Sequence, residues 1–398
     1  MSRDIIINDA LVELEDYEIK NQIGKGGFGV VFRAIEKKTG KETALKVILQ
    51  TANLKKQKEQ ANILREISVP RLLNLPGIVK LIGFRFPLTK EQIEEKKAKK
   101  VNLTMTVTDK GRKTEVDLAG AIIVTELMKN GSLDTIVSDY LKTKKCNEKI
   151  NPTIRSKVIF GVAATMKRVH KNNVIHRDLK LENVFLDDNL EPRIADFGLA
   201  NAYLGNIGMT MTIRTPYTLA PEIFMDDEDV YCEPVDVYAY AFLLYRMFTN
   251  YIEFADGKQI GSSQRYMMKI GRGLRPKKPE ECPDVYWELI QDCWRQNPFE
   301  RLNFDQITEK LKDDKYALEE YGVKTDLDQL HEYQARIDKD EPESNLDFAK
   351  SMKHIVDLDG KKLLLKGTVS SDSYDFAKSK SKIPKINNRK TIFNWKRH

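Results

Sequence analysis

The sequence has few cysteines. Its 398 residues include only four, Cys146, Cys232, Cys282 and Cys293, and no two of them form a C-x-x-C pair. This spacing indicates neither a disulfide framework nor a zinc site. We therefore expect reduced, partly buried thiols in a reducing compartment of the cell.

Long apolar stretches are also missing. No window approaches the roughly 18 consecutive apolar residues that suggest a membrane helix. The first thirty positions carry charges instead of an apolar run with a cleavage site. These absences predict a protein without a transmembrane segment that stays in the cytoplasm or the nucleus.

Most of the chain has no excess of charge of one sign. Hydrophobic residues make up 41% of the sequence and charged residues 31%, an ordinary globular composition that excludes disorder throughout. The net charge of +7 comes from a basic tail, residues 378–398, which holds eight Lys or Arg and no acid. This tail is either a solvated disordered segment or a binding segment for a polyanion, such as nucleic acid or acidic lipid, or for a regulatory partner.

The first part of the chain shows two kinds of periodicity. Residues 17–50 consist of short alternating runs around a glycine cluster, which predicts a small antiparallel sheet. From about residue 53 to Val69, apolar residues recur at helical spacing. Pro70 lacks a backbone donor and should end or kink this helix. We expect one amphipathic helix to cross the sheet.

Residues 85–118 carry a mixed charge run followed by a stretch of alternation. The alternation and the turn sequence Asp109-Lys110-Gly111 predict an extra hairpin that leads toward an apolar strand at 121–124. The simplest interpretation is an inserted, solvated segment without a role in chemistry.

Helical periodicity dominates after Gly131. Asn151-Pro152 is an N-cap and first-turn pair for a helix with one buried stripe. Residues 234–248 are almost continuously apolar, so this second helix should lie at the centre of a helical domain. Beyond about Leu311 the pattern weakens, with one short helical candidate at 327–337 and a polar, mobile stretch from about residue 338.

The glycine cluster at residues 24–29 has the pattern G-x-G-x-x-G and lies between two strand runs. A dinucleotide-binding turn needs a strand followed by a helix, so this context argues against one. Two interpretations remain: a plain hairpin, or a loop whose N–H groups approach phosphate oxygens beneath Phe28. Lys46 follows in an apolar strand, where it either extends its ammonium group to water or has an anionic partner, because burial of an unpaired ammonium group is costly. Glu66, on the predicted helix, is its candidate partner.

Two further motifs decide between these interpretations. The first is His176-Arg177-Asp178-Leu179-Lys180-x-x-Asn183, directly after a helix, and the second is Asp196-Phe197-Gly198. Either motif alone is compatible with a capped turn, but their order and spacing together resemble a eukaryotic protein kinase. The resemblance covers residues 17–311. Further matches are Ala220-Pro221-Glu222, Asp236 and Arg301.

The resemblance implies an α+β, bilobal protein-kinase-like fold. A small antiparallel sheet with one main helix would form the N-lobe, and a larger, mainly helical part would form the C-lobe. The implied boundaries are an N-terminal extension at 1–16, a catalytic domain at 17–311 with its N-lobe at 17–127 and its C-lobe at 128–311, and a C-terminal extension at 312–398.

ATP and Mg²⁺ are the implied cofactors. Lys46, paired with Glu66, would hold the α- and β-phosphates. Asn183 and Asp196 would supply oxygen ligands to Mg²⁺, a hard cation.

The resemblance also implies the residues around the rest of the nucleotide. Val30, Ala44 and Phe185 would sandwich the adenine. Glu126 and Met128 would offer backbone groups behind Thr125. The complete implied set is Ile23, Gly24, Lys25, Gly26, Gly27, Phe28, Gly29, Val30, Ala44, Lys46, Thr125, Glu126, Met128 and Phe185.

The catalytic motif is similar to that of serine/threonine kinases. Asp178 would accept or orient the proton of the substrate hydroxyl, and Lys180 would stabilise charge on the γ-phosphate. Lys180 is typical of serine/threonine kinases, whereas residues 125–133 and Cys293-Trp294 look more like tyrosine kinases. The mixture resembles the tyrosine-kinase-like group of serine/threonine kinases.

The implied function is ATP-dependent phosphoryl transfer to serine and threonine hydroxyls of protein substrates in intracellular signalling. A dual-specificity kinase and a pseudokinase scaffold are the alternatives. A pseudokinase usually lacks a catalytic or metal-binding residue, and none is lost here.

Three positions depart from the family pattern. Pro70 stands where a bulky apolar residue of the regulatory stack is usual, so we expect the helix to end early. Arg214 precedes Thr215-Pro216 where glycine is common, and Thr218 replaces an aromatic residue. These departures should alter substrate docking or regulation more than the chemical step.

The segment between Asp196 and Glu222 predicts a switch. Phosphorylation of Thr212 or Thr210 would add charge that the Arg177 guanidinium can bind. The alternative is a loop that is ordered without modification.

Overall fold

In the computed structural model of the chain, the described residues are 10–26, 29–48, 56–109, 112–199, 201–202, 218–225, 232–254 and 263–339. They form a sheet followed by a larger group of helices. None of the helices in these ranges is long and apolar enough to cross a membrane.

A five-stranded antiparallel sheet forms the first part of the fold, which confirms the predicted small sheet. Its strands lie in the order β1-β2-β3-β7-β4, and β5 pairs with β6 in a separate hairpin. The strands are β1 (Tyr17–Gly26), β2 (Gly29–Glu36), β3 (Glu42–Ile48), β4 (Leu81–Arg85), β5 (Thr104–Asp109), β6 (Arg112–Asp117) and β7 (Ile122–Glu126).

Alternation along β3 places Lys46 opposite the core. Thr43, Leu45 and Val47 are buried on one face of the strand. Successive side chains of a strand point to opposite faces, so Lys46 lies on the other face. The register pairs Lys46 with Val31 of β2 and with Ile123 of β7. The lysine therefore occupies the middle of the sheet.

Helix α1 (Lys56–Leu73) passes through Pro70. The prediction that the helix ends early at this proline is therefore wrong. Proline removes its own backbone donor and crowds the carbonyl group one turn earlier, but Val69 and Leu73 on either side are buried in the core. Their burial stabilises the last turn, which ends at Asn74, with a φ of 43°.

The insert contains a helix and a hairpin. Helix α2 (Lys90–Ala98) begins at a capping box, in which Gln92 N–H donates to Thr89 Oγ1 at 3.3 Å and Thr89 N–H donates to Gln92 Oε1 at 2.9 Å. The sequence pattern does not predict this helix, because its residues are mostly charged and form no apolar stripe.

The predicted hairpin is present as β5 and β6, with Asp109 paired to Arg112. Its turn residues, 110–111, lie outside the described residues. The prediction that this turn leads the chain into the apolar strand at 121–124 is wrong. Strand β6 intervenes, and β7 follows a separate turn.

The second part of the fold is mainly helical. Its helices are α3 (Leu133–Thr143), α4 (Pro152–Lys171), α5 (Glu222–Met225), α6 (Pro234–Phe248), α7 (Ser263–Gly271), α8 (Asp284–Cys293) and α9 (Phe304–Lys310). Short strands β8 (Val174–Ile175), β9 (Val184–Leu186), β10 (Pro192–Ile194) and β11 (Asn201–Ala202) lie between α4 and α5.

Both predicted helices of this part are confirmed. Asn151 Oδ1 accepts the N–H of Ile154 at 3.0 Å and so caps α4. Residues 235–245 of α6 are all buried, and α6 contributes to the largest core. This core includes Leu179 and Phe197, one residue from each of the two predicted catalytic motifs.

The last described segment packs onto α4. It contains β12 (Glu319–Glu320), β13 (Val323–Lys324) and α10 (Leu327–Lys339), which confirms the helix predicted at 327–337. Arg155 of α4, 1% exposed, forms an ion pair with Glu320. Its guanidinium carbon also lies 5.0 Å from the ring centre of Tyr140 and 5.1 Å from that of Phe248. The segment therefore completes the helical core.

Candidate active site

A cavity of about 560 Å³ lies against the open face of the sheet. Most of the predicted nucleotide-binding residues line it. They are Ile23, Gly24, Lys25 and Gly29 at the glycine hairpin, Ala44 and Lys46 on β3, Thr125, Glu126 and Met128 at the end of β7, and Phe185 on β9. Gly26 is the last residue of β1, and Gly27 and Phe28 lie outside the described residues.

Val30 is not part of the wall, contrary to prediction. It is buried in the core with Phe32, on the other face of β2. Val31 lines the cavity instead, 3.6 Å from the position that a Cβ on Gly24 would take. Because side chains alternate along a strand, an assignment shifted by one residue selects the wrong face.

Lys46 and Glu66 form the predicted ion pair within this cavity. Lys46 Nζ also lies 3.8 Å from Asp196 Oδ1, so one ammonium group faces two carboxylates. Burial alone would lower the pKa of Lys46, but the two carboxylates outweigh it and raise that pKa above the usual lysine value. Burial would raise the pKa of Asp196, but Lys46 above all lowers it. The site thus favours a charged lysine and an ionised Asp196.

The space around Asp196 explains why glycine occupies position 198. Asp196 has a φ of 64°, a left-handed conformation that costs energy for a residue other than glycine. A Cβ at Gly198 would lie 3.2 Å from Glu66 Oε2 and 3.4 Å from Asp196 Oδ1. Glycine at this position therefore allows both carboxylates to approach Lys46.

The predicted catalytic residues meet in the same cavity. Asp178 Oδ2 accepts hydrogen bonds from Lys180 Nζ at 2.9 Å and from Asn183 Nδ2 at 3.0 Å. Asn183 Nδ2 also donates to the carbonyl of Asp178 at 2.8 Å. Both bonds use the amide nitrogen of Asn183, so its amide oxygen remains available as a ligand. The three side chains are thus oriented by one another.

Asp236, at the start of α6, holds the backbone of the predicted catalytic motif. Its fully buried carboxylate accepts the N–H groups of His176 and Arg177, each at 2.7 Å. His170 Nε2 lies 2.9 Å from the same carboxylate. Arg177 has a φ of 69°, a strained conformation that these bonds stabilise. Sequence reasoning missed His170, because one histidine at a helix end carries no signal.

We expect Asp236→Asn to lower the free energy of unfolding by about 2–3 kcal/mol at pH 7, because the amide cannot accept all three bonds. Burial would raise the pKa of Asp236, but the hydrogen bonds from His170 and His176 lower it. A carboxyl group whose pKa is lowered by folding stabilises the protein at pH values above its unfolded-state pKa, near 3.8. This contribution is lost as the pH falls through the pKa of the folded state. Urea unfolding from pH 7 to pH 3 should show a shrinking gap between variant and wild type. A gap that is independent of pH would contradict this account.

The oxygen donors of the cavity suit a cation that arrives with phosphate. In the described part of the chain, no group of three or more His, Cys, Asp or Glu residues is placed to hold a metal alone. The N–H of Ala195 donates to the carbonyl of Asn183 at 2.8 Å, which keeps Asn183 close to Asp196. Mg²⁺ typically takes one or two carboxylates and completes its shell with substrate phosphates and water. The Asp196 carboxylate and the Asn183 amide oxygen fit this pattern.

Two further family matches form one contact. Arg301 donates to both carboxylate oxygens of Glu222, at 2.6 and 2.7 Å, in a bidentate pair. It also donates to the carbonyl of Pro234 at 3.0 Å, at the start of α6. The pair therefore connects α5 to the helix that carries Asp236.

Several predicted features lie outside the described residues. They are Thr210, Thr212 and Arg214 in the segment before Glu222, Thr215-Pro216, and the basic tail at 378–398. The phosphorylation switch and the function of the tail therefore stay predictions.

Known proteins are similar in sequence to most of this chain. A sequence model described as Protein kinase domain matches residues 17–311, roughly three quarters of the chain. A probable serine/threonine-protein kinase of Dictyostelium discoideum is 28% identical over 306 residues, which cover 77% of this chain and 29% of that protein. Serine/threonine-protein kinase STY17 of Arabidopsis thaliana is 29% identical over 306 residues, 75% of this chain and 45% of the relative. Probable serine/threonine-protein kinase drkD of D. discoideum is 30% identical over 299 residues, which cover 74% of this chain and 20% of the relative. The chain spans less than half the length of each relative.

Proposed function

The chain belongs to the protein kinase family, and we propose that it transfers the γ-phosphoryl group of ATP to serine and threonine hydroxyls of proteins. The observation that supports this most is the convergence of Lys46, Asp178 and Asp196 on one cavity, each already oriented by a partner. Phosphoryl transfer needs positioning and neutralisation of charge more than covalent chemistry, and such an arrangement supplies both.

Lys46 is suited to bind the nucleotide's phosphates. Glu66 holds its ammonium group in the cavity, next to the glycine hairpin. A Cβ at Gly29 would lie 2.5 Å from the carbonyl oxygen of Val47 and 3.5 Å from Lys46 Cγ. Glycine there lets β2 approach β3 closely, so the hairpin backbone lies near the lysine. Backbone N–H groups and one fixed cation can then contact the same phosphates.

Asp178 and Lys180 are suited to the acceptor side of the reaction. The substrate hydroxyl would lose its proton to Asp178 while its oxygen bonds to the γ-phosphorus and the bond to ADP breaks. Asn183 orients the Asp178 carboxylate through two hydrogen bonds. Lys180, 2.9 Å from the same carboxylate, is placed to neutralise charge on the transferred group.

Protein kinases use ATP with a divalent metal ion, and Mg²⁺ is the ion proposed here. The Asp196 carboxylate and the Asn183 amide oxygen are the two groups of this chain that would bind it. When bound, the ion neutralises negative charge on the phosphates.

Serine and threonine are the proposed acceptors for two reasons. Lys180 stands two residues after Asp178, as in serine/threonine kinases, and the three relatives carry serine/threonine-kinase names. A dual-specificity kinase is the alternative within the enzyme class. A pseudokinase scaffold is disfavoured, because every polar residue of the reaction is present and paired.

Incubation of the purified full-length protein with radiolabelled ATP and Mg²⁺ should label generic acceptor proteins on serine and threonine. Acid hydrolysis and separation of the phosphoamino acids measure this directly. A comparable amount of phosphotyrosine would instead support dual specificity. No labelling above that of an Asp178→Asn preparation, on any acceptor, would contradict the kinase assignment.

The remaining proposals rest on the sequence alone. They are a role in signalling, a location in the cytoplasm or nucleus, a polyanion or regulatory partner for residues 378–398, and activation by phosphorylation of Thr212 or Thr210.

A further inference from the structure

Helix α10 lies outside the matched residues 17–311, yet it packs on the part of the domain that carries the catalytic motif. Tyr333 of α10 is buried against Phe160 of α4, with ring centres 6.2 Å apart. Arg168 of α4 donates to the carbonyl of Ile337, one turn further along α10. The two helices are therefore in contact over at least one turn of α10.

The same helix contacts the connection between β9 and β10. Arg336 forms an ion pair with Glu191, the residue before β10. Tyr333 and Pro192 both approach Gly161 of α4. A Cβ at Gly161 would lie 2.2 Å from the Tyr333 hydroxyl oxygen and 2.6 Å from Pro192 Cγ. Helix α10, helix α4 and the start of β10 thus share one contact that leaves no room for a methyl group.

Strands β9 and β10 lead directly to the proposed metal-binding residues. Asn183 precedes β9, and Asp196 follows β10 after one intervening residue, Ala195. Val184 pairs with Ile194 at this end of the two strands. The hydrogen bond from Ala195 N–H to the Asn183 carbonyl, at 2.8 Å, extends the pairing. The position of the strand pair therefore sets where Asn183 and Asp196 lie.

The loop between the two strands is held by its own hydrogen bonds. Asp187 N–H donates to the Glu191 carbonyl at 3.0 Å, and Glu191 N–H donates to Asp187 Oδ1 at 2.9 Å. Arg193 of β10 binds the other carboxylate oxygen of Asp187 through Nε at 3.0 Å and NH2 at 2.7 Å. Asn130, beyond the end of β7, donates to the Asp187 carbonyl at 2.8 Å. A loop bonded in this way transmits a displacement of Glu191 to both strands.

We infer that α10 is a positioning element for phosphoryl transfer, acting through Arg336 and Tyr333 on the strand pair that carries Asn183 and Asp196. The inference rests on the proposed function, because it gives the helix a part in that reaction. A helix that only stabilised the fold would change the unfolding temperature and leave the metal dependence of the folded enzyme unaltered. Displaced metal-binding residues raise the Mg²⁺ concentration needed for half-maximal rate.

Two disruptive variants, one conservative variant (Arg336→Lys) and one matched control test the inference in the full-length protein. Arg336→Ala removes the ion pair to Glu191, and Gly161→Ala inserts a methyl group between Tyr333 and Pro192. The control, His331→Ala, removes an α10 side chain of equal exposure, 48% against 47% for Arg336. His331 Nε2 lies 2.6 Å from Oδ1 of Asp314, a residue that belongs to neither strand of the pair.

The measurements are the unfolding temperature, kcat, the Mg²⁺ concentration at half-maximal rate, and amide hydrogen exchange in peptides that cover residues 184–196. Arg336→Ala should lower kcat by about 2- to 5-fold, in keeping with a half-exposed ion pair. Gly161→Ala should lower it by about tenfold, because a small misplacement of reacting groups is costly. Both variants should need more Mg²⁺ and should exchange faster in 184–196. His331→Ala should match the wild type, and Arg336→Lys should retain most of the rate.

Wild-type values of kcat, Mg²⁺ dependence and exchange in folded Arg336→Ala would overturn the inference, even if Gly161→Ala failed to fold. Equal changes in His331→Ala would overturn it too. If the wild type transferred no phosphate, the proposed function would fail, while the exchange measurement would still decide whether α10 holds the strand pair.

Discussion

Replacing Asp178 with asparagine is expected to lower kcat by about 10²- to 10⁴-fold, the usual contribution of a general base. The Asp178 carboxylate is a base that lies 2.9 Å from Lys180 Nζ in the cavity, whereas an amide has almost no basicity. Asparagine preserves the shape of the side chain and one oxygen that can accept from Asn183 or Lys180. The unfolding temperature and the affinity for ATP should therefore change little. Single-turnover transfer to a peptide acceptor, measured alongside ATP binding, separates the chemical step from nucleotide affinity.

The matched control for this variant is Asp139→Asn. Asp139 is an exposed aspartate on α3, away from the cavity. The Asp139→Asn variant should retain the wild-type rate. A rate in Asp178→Asn within threefold of this control would show that another group accepts the proton, and would contradict the role assigned to Asp178.

The ion pair of Lys46 was predictable because local rules suffice for it. A lysine at the centre of an apolar strand either extends its ammonium group to water or has an anionic partner, and Glu66 is on the one helix predicted beside that strand. The side-chain alternation of β3 then determines that the lysine faces away from the core. These rules need only the sequences of β3 and of the helix that follows it, and the structure confirms the pair.

The convergence of Asp178, Asn183 and Asp196 was predictable only through the family resemblance. Each motif alone is compatible with a capped turn, because a short polar sequence carries no information about what folds against it. The contacts that bring them together come from distant residues. One example is Asp236, whose carboxylate binds the N–H of His176 from 60 residues away.

The wrong predictions have specific physical causes. Val30 was assigned to the cavity in place of Val31, and a shift of one residue on a strand exchanges the two faces. Pro70 was expected to end α1, but burial of Val69 and Leu73 outweighs the local preference. The contact of Arg155 with Glu320 joins residues 165 positions apart, so no local pattern reveals that the C-terminal segment packs on α4.

Lys46→Met is expected to lower kcat/KM by about 10²- to 10³-fold, the typical cost of removing one group that stabilises charge in the transition state. Methionine retains the apolar stem of the lysine but leaves Glu66 without its cation, beside Asp196. Burial already raises the pKa of Glu66, Lys46 opposes this, and Asp196 adds to it. Loss of the lysine should therefore raise the pKa of Glu66 further.

The consequence is a pH-dependent loss of stability. When the folded pKa of a carboxyl group lies above its unfolded value, here near 4.5, the folded state binds the proton more tightly. The free energy of unfolding then falls as the pH rises from the unfolded-state pKa through the folded-state pKa. Urea unfolding should show a larger difference between Lys46→Met and the wild type at pH 8 than at pH 5.

A double variant separates the two effects of the lysine. Lys46→Met/Glu66→Gln removes the unpaired carboxylate as well, so it should regain most of the stability at pH 8 and remain inactive. Lys41→Met, which replaces an exposed lysine just before β3, is the control and should behave as the wild type in both assays. Activity that returned with stability in the double variant would show that Lys46 acts only by pairing with Glu66. An inactive, stable double variant supports direct binding of the phosphates by the Lys46 ammonium group.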